Sequence, residues 1–121
     1  MPFRLTHQKV QLSENDVKAA CIDLLHLRGY WCLRNHVGTF KTVDNRWIKM
    51  GVPGLPDYAT MHRRYPGFFI EFKRPGAKLA PAQVTKFFEI ECAYRLAAVV
   101  VDSVEKLSAW LDEHEKRARS P

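Results

Sequence analysis

The sequence predicts an α/β domain in which helices flank a mixed central sheet. Three observations lead there. Apolar residues recur at helical spacing in three separated segments, near 13–27, 81–93 and 103–111. Short runs rich in aromatic and β-branched residues fill the span between the first two. The six-residue apolar run Leu96 to Val101 follows the second helical segment, and a strand reached through a helical crossover lies parallel to its neighbour. The expected order is α-β-β-β-α-β-α. A chain of 121 residues forms one domain, and at this size about two-thirds of the unfolded surface can be buried without disulfides or a structural metal. Residues 1–12 read as an N-terminal arm, 13–114 as the domain and 115–121 as a frayed tail.

Each element has a local reason. Ser13 is an N-cap, with Glu14 and Asp16 in the first turn where carboxylates favour the helix dipole. Val17, Cys21, Leu24, Leu25 and Leu27 follow at helical spacing, and Gly29 ends the helix. Tyr30 to Arg34 and Trp47 to Met50 read as strands, the second entered from the turn pair Asp44-Asn45. The segment Gly51-Val52-Pro53-Gly54-Leu55-Pro56-Asp57 is too rich in Gly and Pro for regular structure, and it delivers Asp57 into a strand over 57–61. Tyr65-Pro66-Gly67 turns the chain into a second strand, Phe68 to Lys73. Pro81 suits the first turn of a helix running to about Ala93, with Val84, Phe87, Phe88 and Ile90 as its apolar face. Ser103 caps the last helix, which carries Val104, Leu107, Trp110 and Leu111 on one side.

Composition narrows the class. Hydrophobic residues make up 46% and charged residues 26%, which excludes a disordered, collagenous or coiled-coil chain. No apolar run approaches the roughly 20 residues that cross a bilayer, and the first residues hold no apolar signal core. The chain therefore reads as soluble and intracellular, with no membrane partner and a cytoplasmic setting. Cys21, Cys32 and Cys92 are odd in number and widely spaced, so they read as reduced thiols, with Cys21 and Cys92 as small core residues. Five histidines lack any paired metal-ligand spacing. Trp31, Trp47 and Trp110 read as packing residues, Trp47 with a second reading as a base-stacking group. The net charge is +6, and its placement matters more than its size. Residues 41–86 hold nine basic and three acidic residues, and the remainder balances at ten against ten. A localised basic field is the footprint expected for a polyanion such as nucleic acid.

The chemistry concentrates in the strand Phe68-Phe69-Ile70-Glu71-Phe72-Lys73. Alternation puts Phe68, Ile70 and Phe72 on one face and Phe69, Glu71 and Lys73 on the other. Two charges inside an apolar strand are costly unless they are partnered. The hairpin can bring Asp57 beside Glu71, and two adjacent carboxylates repel unless a proton or cation intervenes. A hard divalent ion, Mg²⁺ or Mn²⁺, is the natural partner. A carboxylate pair, a nearby ammonium and a basic field suit metal-assisted phosphodiester hydrolysis. The same three residues, taken alone, also fit an exposed edge-strand ion pair with Asp57 as a turn residue.

The surrounding residues sharpen this. Gly51-Val52-Pro53-Gly54-Leu55-Pro56-Asp57, followed after thirteen residues by Ile70-Glu71-Phe72-Lys73-Arg74-Pro75-Gly76-Ala77-Lys78-Leu79-Ala80-Pro81-Ala82-Gln83, resembles the PD-(D/E)xK nuclease superfamily, and within it the stand-alone VRR-NUC (virus-type replication-repair nuclease) domain. The resemblance runs from about Glu14 to Leu111 and implies a restriction-endonuclease-like core. It implies that Asp57 and Glu71 bind the metal together with the main-chain carbonyl of Phe72, and that Lys73 is the catalytic lysine. It further implies that Gln83 reaches back to the site and that Glu14 acts at a second-shell or second-metal position. Arg34, with Asn35, matches a phosphate-contacting pair. Lys49, Arg74 and Lys78 are expected to touch the DNA backbone, with Arg63 and Arg64 as further generic basic residues. Ala80 departs from the family's pattern, which often has a hydroxyl cap there.

The resemblance implies a Mg²⁺- or Mn²⁺-dependent, structure-selective DNA endonuclease with no small-molecule cofactor. Stand-alone members are similar to archaeal four-way-junction resolvases, which points to a homodimeric Holliday-junction resolvase of viral or mobile-element type acting on branched DNA. Two alternatives stand beside it. One is a flap or 5′-end nuclease of the same family, and the other a DNA-binding module that retains the fold without catalysis.

Overall fold

Ser13 and Asp16 close a reciprocal cap at the start of the first helix. The Ser13 hydroxyl accepts from the Asp16 amide at 3.1 Å, and the Asp16 carboxylate accepts from the Ser13 amide at 3.0 Å. From that cap α1 runs over Glu14–Leu27, and Gly29, in the left-handed region at φ 87°, turns the chain out of it. The computed structural model describes residues 12–36 and 38–120, without the side chains of 38–40, 49 and 50. The arm expected over 1–12 thus lies, apart from Leu12, outside the described residues.

Six strands and two further helices follow. They are β1 (Trp31–Arg34), β2 (Gly38–Lys41), β3 (Trp47–Met50), β4 (Tyr58–Met61), β5 (Phe69–Phe72), α2 (Pro81–Cys92), β6 (Ala98–Val101) and α3 (Val104–Arg119). The main sheet has the order β1-β4-β5-β6. β4 pairs antiparallel with β1 and with β5, and β6 lies parallel to β5 across the α2 crossover. Along the main sheet and its helices the element order is α-β-β-β-α-β-α, as expected, but the sequence reading also counted Trp47–Met50 among the strands before the second helix.

Trp47–Met50 does not join that sheet. It pairs with β2, a strand the sequence reading lacks, in a separate two-stranded ribbon whose register sets Gly38 against Met50 and Lys41 against Trp47. The ribbon turns at Thr42–Arg46, where Asn45 takes the left-handed conformation that asparagine tolerates.

One face of the main sheet is dry. Phe68, Ile70, Phe72, Val99 and Val101 pack there against Val17, Cys21 and Leu25 of α1 and Leu107 and Leu111 of α3. On the other face α2 lies over β6, with Phe87 and Ile90 buried, and reaches β5 at Gln83, which bonds Glu71. Val84 and Phe88, expected in the apolar face of α2, are therefore exposed, Phe88 by 70%. For the same reason Trp31, Leu33 and Met61, which share the uncovered half, stand open to solvent. Cys92 is exposed rather than buried, at the end of α2. Leu96 is exposed as well, so only the last part of the run 96–101 is buried strand.

The expected fraying from Glu115 onward is also corrected. α3 continues to Arg119, and the buried Glu115 carboxylate accepts from Arg28, just past α1, at 2.6 Å. Asp112 approaches the same guanidinium at 3.0 Å, so α1 and α3 are tied by a forked ion pair.

Candidate active site

Asp57 owes its position to a tight loop rich in glycine and proline. Gly51 and Gly54 take φ of 82° and 80°, and a turn closes between them with the Leu55 amide donating to the Val52 carbonyl. At Gly54 the loop lies against the first turn of α2. A Cβ there would sit 2.4 Å from the Ala82 carbonyl oxygen. Pro56 is buried behind the loop, and Asp57 follows it at the mouth of β4. The Asp57 carbonyl accepts the Asn35 amide at 2.8 Å, which ties it to the end of β1. Its carboxylate Oδ2 accepts the Phe72 amide at 3.2 Å. β4 has ended at that level, so the Asp57 side chain takes over the ladder partner that Phe72 would otherwise lack.

Glu71 is 2% exposed, although it is a carboxylate in the middle of a four-residue strand. Gln83 Nε2 donates to its Oε1 at 3.1 Å. The β4–β5 register, with Tyr58 opposite Ile70, sets Asp57 beside Glu71, as the hairpin predicted. Burial first, and then the hydrogen bond and negative charge of Asp57, push the Glu71 carboxyl from 4.5 up to about 9, with Glu14 adding to the rise and Lys73 opposing it. Glu71 therefore holds its proton at neutral pH when nothing else neutralises it. Among the described residues neither is paired with a cationic side chain.

That chemistry fits a hard divalent cation. Two carboxylates are side-chain donors, and the Phe72 carbonyl faces the same edge of β5 as the Phe72 amide that Asp57 receives. No group of three or more His, Cys, Asp or Glu side chains suited to a metal occurs among the described residues. Two carboxylates and one main-chain oxygen are the hard oxygen donors that Mg²⁺ accepts beside water.

The remaining expected residues sort by distance from this pair. Lys73 is half-buried on the Glu71 face, and its amide is fixed by the Val101 carbonyl. Glu14 is exposed at the first position of α1, near enough to bear on Glu71. Arg34 ends β1, paired in register with Tyr58 next to Asp57. Arg74 and Lys78 are exposed on the turn between β5 and α2. The Lys49 side chain lies outside the described residues. Arg63 and Arg64 sit beyond Met61, at the opposite end of β4 from Asp57, away from the site.

Two features escaped the sequence reading. Gly54 sets the spacing between loop and helix, and the only trace of it is a glycine two residues before Pro56. Asn35 anchors Asp57 through its backbone, and its buried Nδ2 has no partner among the described residues. No helix among the described residues is long and apolar enough to cross a membrane. No family model matches the chain, and no curated protein matches it.

Proposed function

We propose that this protein is a Mg²⁺- or Mn²⁺-dependent, structure-selective DNA endonuclease, acting as a homodimeric four-way (Holliday) junction resolvase. One observation carries the nuclease reading: a buried glutamate pressed against a second carboxylate, with a lysine on the same strand face, in a chain whose whole positive excess lies in 41–86. The resemblance of the 51–57 and 70–83 segments to the VRR-NUC pattern supports the same chemistry.

Asp57, Glu71 and the Phe72 carbonyl would hold the cation. Bound there, it supplies Lewis acidity toward the phosphate and lowers the pKa of an attacking water. Lys73 presents its ammonium on the Glu71 face, where it orients that water or offsets charge developing on the phosphate. Gln83 fixes one Glu71 oxygen and leaves the carboxylate's other lone pairs free to ligate. Exposed Arg34, Arg74 and Lys78 contribute positive charge for the backbone on either side. Resolution needs two cuts on opposed strands, which a twofold dimer supplies by symmetry.

The test is cleavage of labelled four-way junction, 5′ flap and plain duplex in Mg²⁺, Mn²⁺ or EDTA. Paired symmetrical nicks in the junction, lost in EDTA, are the expected result. Cutting of flaps alone keeps the nuclease and rejects the resolvase, and metal-independent binding without cutting rejects both. Asp57→Ala, Glu71→Ala and Lys73→Ala each lower cleavage by about 10²–10³-fold or more, with junction affinity in EDTA retained. Loss of binding without a specific loss of cutting overturns the assigned roles.

A further inference from the structure

The β2–β3 ribbon packs on no other element of the described structure. Its isolation is unusual for a segment that carries a tryptophan. Trp47 is 69% exposed, and Ile48 beside it is exposed as well. The Trp47 ring contributes nothing to the core and is open to a ligand. Its surroundings are basic. Lys41, opposite Trp47 in the register, holds its ammonium 5.9 Å from the ring centroid. Arg46 precedes Trp47, its charge shared with Asp44 in the turn. Together with Lys49, residues 38–50 hold three basic side chains against one acidic.

The ribbon is rooted at the candidate active site on both sides. It leaves the chain just after Asn35, whose amide holds the Asp57 carbonyl, and returns into the Gly51–Asp57 loop. Lys41 and Trp47 lie at the end of the ribbon away from that root, three residues out or about 10 Å at the strand rise. A cationic arm tipped with an open indole, planted beside a phosphodiester site, matches a polyanion whose bases are accessible. Lys41 stands over the Trp47 ring, most of which is open to solvent.

We propose that the β2–β3 ribbon is a nucleic-acid arm in which Trp47 stacks on a base freed from its duplex partner, with Lys41 beside it on the backbone phosphate. The inference rests on the nuclease reading for the identity of the polymer, and it adds a preference for DNA with unpaired or splayed bases a few nucleotides from the cut. A continuous duplex offers Trp47 no open base face.

The experiment is equilibrium binding in EDTA of a labelled single strand and a blunt duplex of equal length to wild type, Trp47→Ala and Trp47→Phe. Trp47→Ala is expected to weaken the single strand about tenfold or more, the scale of one lost base stack. Duplex affinity and the thermal midpoint stay within error, and Trp47→Phe recovers most of the loss. Equal loss on both DNAs, no loss on either, or wild type binding neither DNA overturns the arm. So does conversion of a dimer to a monomer by Trp47→Ala in light scattering, which assigns the ribbon to contact between copies. If wild type binds as expected but never cuts with Mg²⁺ or Mn²⁺, the nuclease reading fails and the arm stands.

Discussion

Gln83 serves two structures with one amide. Its Oε1 accepts the Ala80 amide at 2.8 Å and so caps α2, while its Nε2 donates to Glu71. Ala80 has no oxygen to return the cap, so the start of the helix depends on Gln83 alone. Gln83→Ala is expected to cost about 1 kcal/mol of stability and, at the proposed cation site, to weaken Mg²⁺ binding about tenfold, the scale seen when a ligand loses the hydrogen bond that orients it. Gln83→Glu keeps the acceptor for Ala80 but loses the donor to Glu71, so it separates the two effects when thermal unfolding is followed against Mg²⁺. Half of this arrangement is written locally, because Pro81 marks the first turn and a glutamine two residues later is at the reciprocal-cap position. The Glu71 half joins residues twelve apart across the crossover, which spacing alone does not state; only the resemblance anticipated it.

At the scale of elements, the structure places the Gly51–Asp57 loop and α2 in backbone contact at Gly54. Gly54→Ala is expected to destabilise the protein by about 1–3 kcal/mol, from the left-handed φ and the close approach to the Ala82 carbonyl together. Gly76, also left-handed at 83° but facing open space, separates the two causes. Gly76→Ala bears only the conformational cost of about 1 kcal/mol, and it leaves cleavage untouched. Urea unfolding of both variants, beside their cleavage rates, reads the difference; equal losses would show that the loop yields. The helix starts at Ser13, Pro81 and Ser103 were legible because caps are local chemistry. β2 was not, because Gly38-Thr39-Phe40-Lys41 is short, begins with glycine and finds its partner outside the main sheet. Val84 and Phe88 show a related limit. Periodicity tells which residues share a helix face, but the width of the surface beneath decides which of them are covered. The end of α3 shows the reverse, since its charged sequence has no apolar period and a distant arginine holds it.

For the whole molecule, Glu71 makes stability depend on pH. In the metal-free protein its carboxyl titrates near 9 when folded, against 4.5 as the ordinary value. Between those values the folded state holds a proton that the unfolded state has released, so stability falls as pH rises through this window. A cation bound at the proposed site would replace the proton and remove the dependence. Thermal midpoints in EDTA from pH 5 to 9 are thus expected to decline more steeply for wild type than for Glu71→Gln, and Mg²⁺ to narrow the gap most at high pH. Parallel profiles would show that Glu71 keeps an ordinary carboxylate's behaviour. The buried charge was legible as a glutamate amid phenylalanines. The depth of its burial was not, because that depends on the parallel placement of β6 and the seating of α2.

The seam between α1 and α3 has a consequence for how the chain is made. Val17, Cys21 and Leu25 are made before every strand of the sheet, and Leu107 and Leu111, which cover them, come after every strand. Until α3 has emerged from the ribosome, the sheet's dry face lies open and the Arg28 guanidinium has neither Glu115 nor Asp112 to meet. The nascent chain therefore closes its core in one late step, and a chain halted before Val104 exposes an apolar surface of the kind that chaperones recognise.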